Sequence, residues 1–274
     1  MVISKFMNKS FYERLFSGII LVIIALITII LGNDVLLVTV GIVSLIGLYE
    51  MNRVFGIEKY ATGILSYIAV IIYYAMLRFD MMTYVPFLIV ALLIACMAIY
   101  VFEFPKCKTE QVMAAIFGTI YVAVMLSFVY LVRMGNNGAY NVWLIFLCSW
   151  GSDTCAYLAG VAFGKHKMAP VLSPKKSVEG AVGGVVGAAA LGAIYATIFS
   201  SNITMSINPV AGFAIICAVG ALISMVGDLA ASAIKRNHDI KDYGKLIPGH
   251  GGIMDRFDSV IYVAPVIWIL LQIF

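Results

Sequence analysis

Residues 19–31 read IILVIIALITIIL, and they decide the fold class. The stretch has no charge, its only polar side chain is Thr28, and apolar residues do not alternate with polar ones. A strand of a transmembrane barrel alternates with period two, whereas a helix that is apolar on every side is a buried or membrane helix. Extended back to residue 15, the stretch reaches the roughly 17–20 residues that cross a hydrocarbon core of about 30 Å. Lys5, Lys9 and Arg14 precede it and mimic the charged start of a secretory signal. No small-x-small cleavage site follows, so the segment is expected to persist as a first helix. Gly32-Asn33-Asp34 then reads as a tight turn into a second span.

The rest of the 274 residues is similar: 63% are hydrophobic, 12% charged, and the mean hydropathy is +1.03. A soluble domain would be roughly 45–50% apolar and about 25% charged. Polar, Gly and Pro clusters divide the chain into nine candidate spans, near 15–31, 35–50, 60–77, 82–102, 111–132, 141–163, 178–199, 209–231 and 257–274. The expected fold is therefore an all-α polytopic integral membrane protein. Residues 1–140 carry about five spans, and 141–274 carry the rest of a single integrated membrane domain. Five cysteines, Cys96, Cys107, Cys148, Cys155 and Cys217, show no metal spacing and read as small hydrophobes.

Sixteen of the 18 Lys and Arg residues fall on one side of this arrangement, and only Arg78 and Arg133 on the other. The positive-inside rule then places the N-terminus and both long polar loops, 164–177 and 232–256, in the cytoplasm, with Phe274 on the opposite side. The net charge of +4 adds little, since cytoplasmic lysines serve topology and attraction to anionic lipid in many membrane proteins.

Charge is concentrated in two places. In the first, Asp228 stands near the end of the eighth span, followed by Ser232, Lys235 and Arg236. A carboxylate at membrane depth is expensive and normally faces protein or water with a partner. Asp255 and Asp258, three residues apart at the start of the last span, share one face of a helix. Three such carboxylates suit a hard divalent cation such as Mg²⁺, which takes oxygen ligands and completes its shell with water and phosphate. The two aspartates also suit a plain role as helix caps. Pro248-Gly249-His250-Gly251-Gly252 is a side-chain-poor loop whose N–H groups are expected to approach a phosphate. Lys235, Arg236, Lys241 and Arg256 are placed to neutralise further phosphate charge.

The second concentration begins at Asp153, inside an apolar span, and resumes at Ser173-Pro174-Lys175-Lys176-Ser177-Val178-Glu179-Gly180. Ser173-Pro174 reads as a helix N-cap followed by Pro at the first helical position. That puts Lys175 and Lys176 in the first turn against the helix dipole, as expected where an anion binds. Gly180, Gly183, Gly184 and Gly187 make overlapping GxxxG spacings suited to close helix packing. Glu50 and Arg53 read as a local pair, and His166 and His238 as solitary loop histidines.

The stretch Ser232-x-x-Lys235-Arg236 through Lys241-Asp242-x-Gly244, Ile247-Pro248-x-His250-Gly251-Gly252 and Asp255-Arg256-x-Asp258 resembles the signature of phosphatidate cytidylyltransferases, or CDP-diacylglycerol synthases, without departure. Asp153-x-x-Ala156-Tyr157-x-x-Gly160 and Ser173–Gly180 also look like that family's blocks, so the motifs span about residues 150–260. The resemblance implies transfer of CMP from CTP to phosphatidate, giving CDP-diacylglycerol and pyrophosphate. It further implies a Mg²⁺-dependent site at the cytoplasmic interface, a monovalent cation such as K⁺ nearby, and a homodimer; no nucleic acid partner is expected. By motif position the metal carboxylates fall on Asp228, Asp255 and Asp258, and the catalytic groups on Lys235, Arg236, Lys241, His250 and Arg256. Substrate contacts fall on Asp153, Ser173, Lys175, Lys176, Ser177, Glu179, Ser232, Gly251 and Gly252. A lipid kinase of the polyprenol or dolichol type is the nearest alternative reading. An ion-coupled transporter is a more distant one, disfavoured by charges gathered on one side and by the lack of matching halves.

Overall fold

The computed structural model describes residues 9–274, and side chains from Phe16 onward; the tail cations Lys5, Lys9 and Arg14 lie outside the described side chains. Among the described residues, eight helical segments are long and apolar enough to cross a membrane, and the apolar stretch Phe16–Leu31 belongs to a further helix. Helix is the expected form, because a chain in hydrocarbon must satisfy its backbone polar groups internally. This is a multi-pass membrane protein.

The chain divides into two compact units, Met1–Ser127 with Asp242–Arg256, and Phe128–Lys241 with Phe257–Phe274. The first contains α1 (Lys9–Leu31), α2 (Asn33–Val54), α3 (Ala61–Arg78), α4 (Val85–Phe102) and α5 (Thr109–Gly118). A π-turn at Thr119–Val124 joins α5 to α6 (Met125–Met134). Its helices pack through small residues and short polar contacts. Gly41 lies against the Tyr74 ring and Gly118 against Leu48. The Tyr74 hydroxyl pairs with Ser44 Oγ at 2.7 Å, the Tyr73 hydroxyl with Ser127 Oγ at 2.7 Å, and Asn52 Nδ2 donates to Ser66 Oγ at 3.0 Å. Small interfacial residues and interhelical hydrogen bonds drive packing where lipid removes the hydrophobic incentive. α4 buries only Leu92 and Cys96, one turn apart, and leaves Phe87, Ile94 and Val101 outward. That outward surface suits lipid.

The second unit holds α7 (Gly138–Phe146), a π-turn at Leu147–Gly151, α8 (Ser152–Phe163), α9 (Val178–Phe199), α10 (Pro209–Asn237) and most of α11 (Met254–Ile273). The glycine spacing acts as expected. A Cβ at Gly180, Gly183, Gly184 or Gly187 would press on Ala156, Ala159, Ser152 or Cys155 of α8. Cys148 and Cys217 are fully buried and fill the space beside Gly220 and Gly192, and all five cysteines are free thiols.

Two boundaries differ from the hydropathy reading. α10 continues to Asn237, with Lys235 and Arg236 in its last turn, where cations favour the negative end of the helix dipole. Its 29 residues give a length of about 44 Å, so its last turns outrun a hydrocarbon core of about 30 Å. The second difference is a correction. Ser173 is not a helix cap, and Lys175 and Lys176 are not in a helix. Ser173–Ser177 forms strand β2, paired antiparallel with β1 (Lys167–Ala169). The helix starts at Val178, capped by Ser177, whose Oγ accepts the Gly180 N–H at 3.1 Å. Pro174 fits a two-stranded ribbon, where an edge position needs no N–H, and the true serine cap lies four residues further on.

Candidate active site

In the second unit, acidic and basic side chains meet at one end of the helices. Asp228 lies 19 residues into α10, about 28 Å along its axis, and so near the boundary of the hydrocarbon. Its carboxylate is ion-paired with Lys176 of β2, and both side chains are about one-quarter exposed. The ribbon directs consecutive lysines differently: Lys175 is exposed, whereas the Lys176 Nζ is shielded from solvent. Asp258, in the second turn of α11, lies within electrostatic range of Asp228, Lys235 and Asp153. Asp153 stands in the first turn of α8, immediately after the π-turn at 147–151; such wide turns often mark functional positions.

Neighbouring groups hold this end in shape. Glu179 accepts the N–H groups of Lys165 and His166 at 3.0 and 3.2 Å and pairs with the His166 ring at 2.6 Å. His166, read from sequence as solitary, is thus tied to the first turn of α9. Ser177 is buried, and its Oγ lies close to Gly160, Gly164 and Gly180, where a larger residue would collide. Ser232 is half-buried on α10, and Arg236 is exposed in its last turn.

In the first unit the glycine loop has a different economy from the one expected. The N–H groups of residues 250–254 all donate within the protein. His250 and Gly251 donate to the Ile247 carbonyl at 3.0 and 3.1 Å, which closes the loop with a short antiparallel bridge. Gly252 donates to Asp255 Oδ2 at 2.9 Å, and Ile253 and Met254 donate to the two Glu50 oxygens at 3.1 and 2.9 Å. Asp255 Oδ2 also accepts the Tyr243 N–H at 2.8 Å. The anions cradled here are therefore the protein's own Glu50 and Asp255, both almost fully buried. This corrects the expectation that Gly251 and Gly252 offer their N–H groups to substrate phosphate. Their lack of side chain makes room instead: a Cβ at Gly244 or Gly252 would collide with Glu50, and one at Gly251 would sit 2.8 Å from Asp255 Oδ2. Gly251 also has φ +87°, which favours glycine.

Glu50 is the residue that sequence reasoning missed. Arg53 lies within electrostatic range of Glu50, as the local reading expects, but its hydrogen bond goes to the Tyr243 carbonyl. The available signal was the one applied to Asp153 and Asp228: an acid inside an apolar span needs a partner. His250 rests against Ser17 of α1, with Nδ1 2.9 Å from the hydroxyl, which itself donates to the Pro248 carbonyl at 3.1 Å. Lys241 and Arg256 are exposed.

Acids and ammonium groups gathered at the ends of long apolar helices are the arrangement expected of a membrane enzyme. Comparison with known proteins narrows the class. The description of the Cytidylyltransferase family matches residues 12–274, and the chain belongs to that family. A Staphylococcus aureus protein named phosphatidate cytidylyltransferase is 33% identical over 264 residues, 94% of this chain and 98% of its own length. Proteins of the same name from Thermotoga maritima and Staphylococcus saprophyticus are 35% and 38% identical over 169 and 148 residues. Those two matches span 62% and 55% of the relatives' lengths.

Proposed function

We propose that this protein is a phosphatidate cytidylyltransferase, which transfers CMP from CTP to phosphatidate and releases CDP-diacylglycerol and pyrophosphate. The observation that carries the reading is the cluster of Asp153, Lys176, Asp228, Lys235 and Asp258 at one end of the second unit, in a chain whose family is established over residues 12–274. A phosphatidate oxygen attacks the α-phosphorus of CTP as the bond to the departing pyrophosphate breaks. The nucleophile is already an anion near neutral pH, so no serine or cysteine ester is needed. What the site must overcome is repulsion between two polyanions, and preorganised positive charge does so in a partly dry setting.

The donor set fits magnesium. Among the described residues no three His, Cys, Asp or Glu side chains form a ready metal cage, but Mg²⁺ usually takes only one or two carboxylates, with water and substrate phosphate. Asp228 and Asp258 are hard oxygen donors on different helices. Three carboxylates, including Asp153, face two ammonium groups, which leaves net negative charge for a cation. A bound Mg²⁺ would supply positive charge to the phosphate oxygens. Lys176 and Lys235 neutralise phosphate charge, and Lys176 orients Asp228 through their ion pair. Asp255 serves the loop, through the two N–H groups on its Oδ2. The resemblance adds Arg236, Lys241, His250 and Arg256 as phosphate-facing groups, a K⁺ site and a homodimer.

The direct test is incubation of the purified protein with phosphatidate, Mg²⁺ and CTP labelled at the α- or γ-phosphate. Label from the α position alone is expected in the lipid; γ-label in lipid would instead make the protein a kinase. The two lysines supply a finer measurement. Lys176→Ala is expected to lower kcat/KM about tenfold or more, the equivalent of one lost charged hydrogen bond, while Lys175→Ala, changing an exposed side chain, changes it less. Equal effects would remove the special role of Lys176.

The N-terminus and both polar loops are assigned to the cytoplasm, from the distribution of Lys and Arg. Lys245→Cys is expected to resist a membrane-impermeant maleimide in intact cells, and Asn202→Cys to react. The reverse pattern would invert the orientation.

A further inference from the structure

The first unit holds a groove of about 440 Å³ between α2 and α3. It starts at Asp34, in the first turn of α2, and Arg78, the last residue of α3, and it ends at Leu45 and Val70. The 11 residues from Asp34 to Leu45 rise about 17 Å. That is roughly half of a hydrocarbon core of about 30 Å, the depth of one leaflet. Gly41 keeps the floor low, with the Tyr74 ring only 3.3 Å from where a Cβ would stand. Glu50, which holds the glycine loop, stands 16 residues beyond Asp34 on the same helix, about 24 Å along its axis. The mouth of the groove is therefore at the end of this unit away from that loop.

Between its ends the groove is apolar. Its one polar side-chain atom there is the Tyr74 hydroxyl, which is already paired with Ser44 Oγ at 2.7 Å. Val38, Ile42 and Ile71 line it and are each more than half exposed. Charge is confined to the mouth. Arg78 Nε and Nη2 pair side-on with the two Asp34 oxygens at 2.6 and 3.0 Å. Both side chains remain accessible, at 52% and 61% exposed. Side-on pairing leaves the two N–H groups of Arg78 Nη1 unused among the described residues, and each carboxylate oxygen can accept a further donor.

The ligand follows from that arrangement. An apolar slot one leaflet deep fits an acyl chain, and the head group above it meets a positive and a negative charge side by side. An anionic head group gains at Arg78 and loses at Asp34, and an uncharged one pairs with neither. A zwitterionic head group answers both: its phosphate takes the unused guanidinium N–H groups, and its ammonium takes the carboxylate. Phosphatidate, an anion, does not match this mouth.

We infer that the α2–α3 groove binds a zwitterionic phospholipid, with the phosphate at Arg78 and the ammonium at Asp34. The test is native mass spectrometry of the detergent-solubilised protein with equal amounts of phosphatidylethanolamine, phosphatidylglycerol and diacylglycerol of matched chains. Lipid lost on Ala75→Phe, which fills the groove from an exposed position, counts as groove-bound. Phosphatidylethanolamine should exceed each of the others about fivefold, the scale of one partly exposed charge pair. Asp34→Asn leaves Arg78 uncompensated and should turn the preference to phosphatidylglycerol, while Arg78→Gln should abolish the preference. Equal retention of the three lipids, a preference for phosphatidylglycerol in the parent, retention indifferent to Ala75→Phe, or a preference that survives both mouth substitutions overturns the assignment. Binding is read without CTP or phosphatidate, so its failure leaves the proposal of CMP transfer untouched.

Discussion

Asp258→Asn is expected to lower kcat/KM for CMP transfer by at least about a thousandfold, roughly 4 kcal/mol of transition-state stabilisation, with little change in thermal stability. Asp228→Asn should lose activity alike, but with some loss of stability as well, because it neutralises the ion-pair partner of the shielded Lys176 ammonium. Asn keeps the size and polarity of Asp, but it removes one of the negative charges that the cluster of Asp153, Asp228 and Asp258 brings together. Bringing like charges together weakens the resting structure, so neutralising one should not unfold it. The double variant should be little worse than either single one, because residues that act as a unit are non-additive. Isothermal titration of Mg²⁺ gives a readout separate from turnover: each single variant should lose the binding signal seen in the parent. Near-full Mg²⁺-dependent activity in either variant would sink the assignment of the pair. Asp255→Asn should differ in kind. Its Oδ2 anchors two backbone N–H groups, so the loss should appear as reduced stability together with reduced activity.

Glu50→Ala is expected to be the most damaging change outside the acidic cluster. It strands the N–H groups of Ile253 and Met254 in a buried place and empties the space that Gly244 and Gly252 leave open. Hydrogen bonds to a charged group are worth about 1.5–3 kcal/mol each, so two lost together amount to roughly 3–6 kcal/mol. The expected result is a marked fall in the thermal midpoint, new protease cleavage within 242–253, and activity lost in proportion to the cleaved fraction. Glu50→Gln retains one acceptor oxygen and should fall between the parent and the alanine variant. An alanine variant with unchanged melting and intact 242–253 would make the Glu50 contact incidental.

The transmembrane skeleton was legible because it depends on composition alone. IILVIIALITIIL cannot be anything but lipid-facing or buried helix, and hydropathy located all the long helices within a few residues. Hydropathy failed where another force sets the boundary. α10 runs on because Lys235 and Arg236 suit a helix end, and Lys175 and Lys176 lie in a ribbon that no apolar period announces. The acidic positions Asp153, Asp228 and Asp258 were recognisable as costly residues in apolar surroundings. The loop at 248–252 was legible as a nest for anions but not for which anions. Its acceptor Glu50 lies 203 residues from Ile253, and no local pattern encodes a partner so far away.

The position of Asp228 along α10, close to where hydrocarbon gives way to water, has a consequence for how this enzyme should be assayed. In the proposed reaction the lipid substrate and lipid product are confined to a plane, while CTP and pyrophosphate come and go from the bulk phase. Encounter with phosphatidate is then a two-dimensional search, governed by the mole fraction of that lipid in the sheet. Adding inert detergent at fixed total phosphatidate should slow turnover by surface dilution alone, while CTP saturation, a property of the aqueous phase, stays where it was.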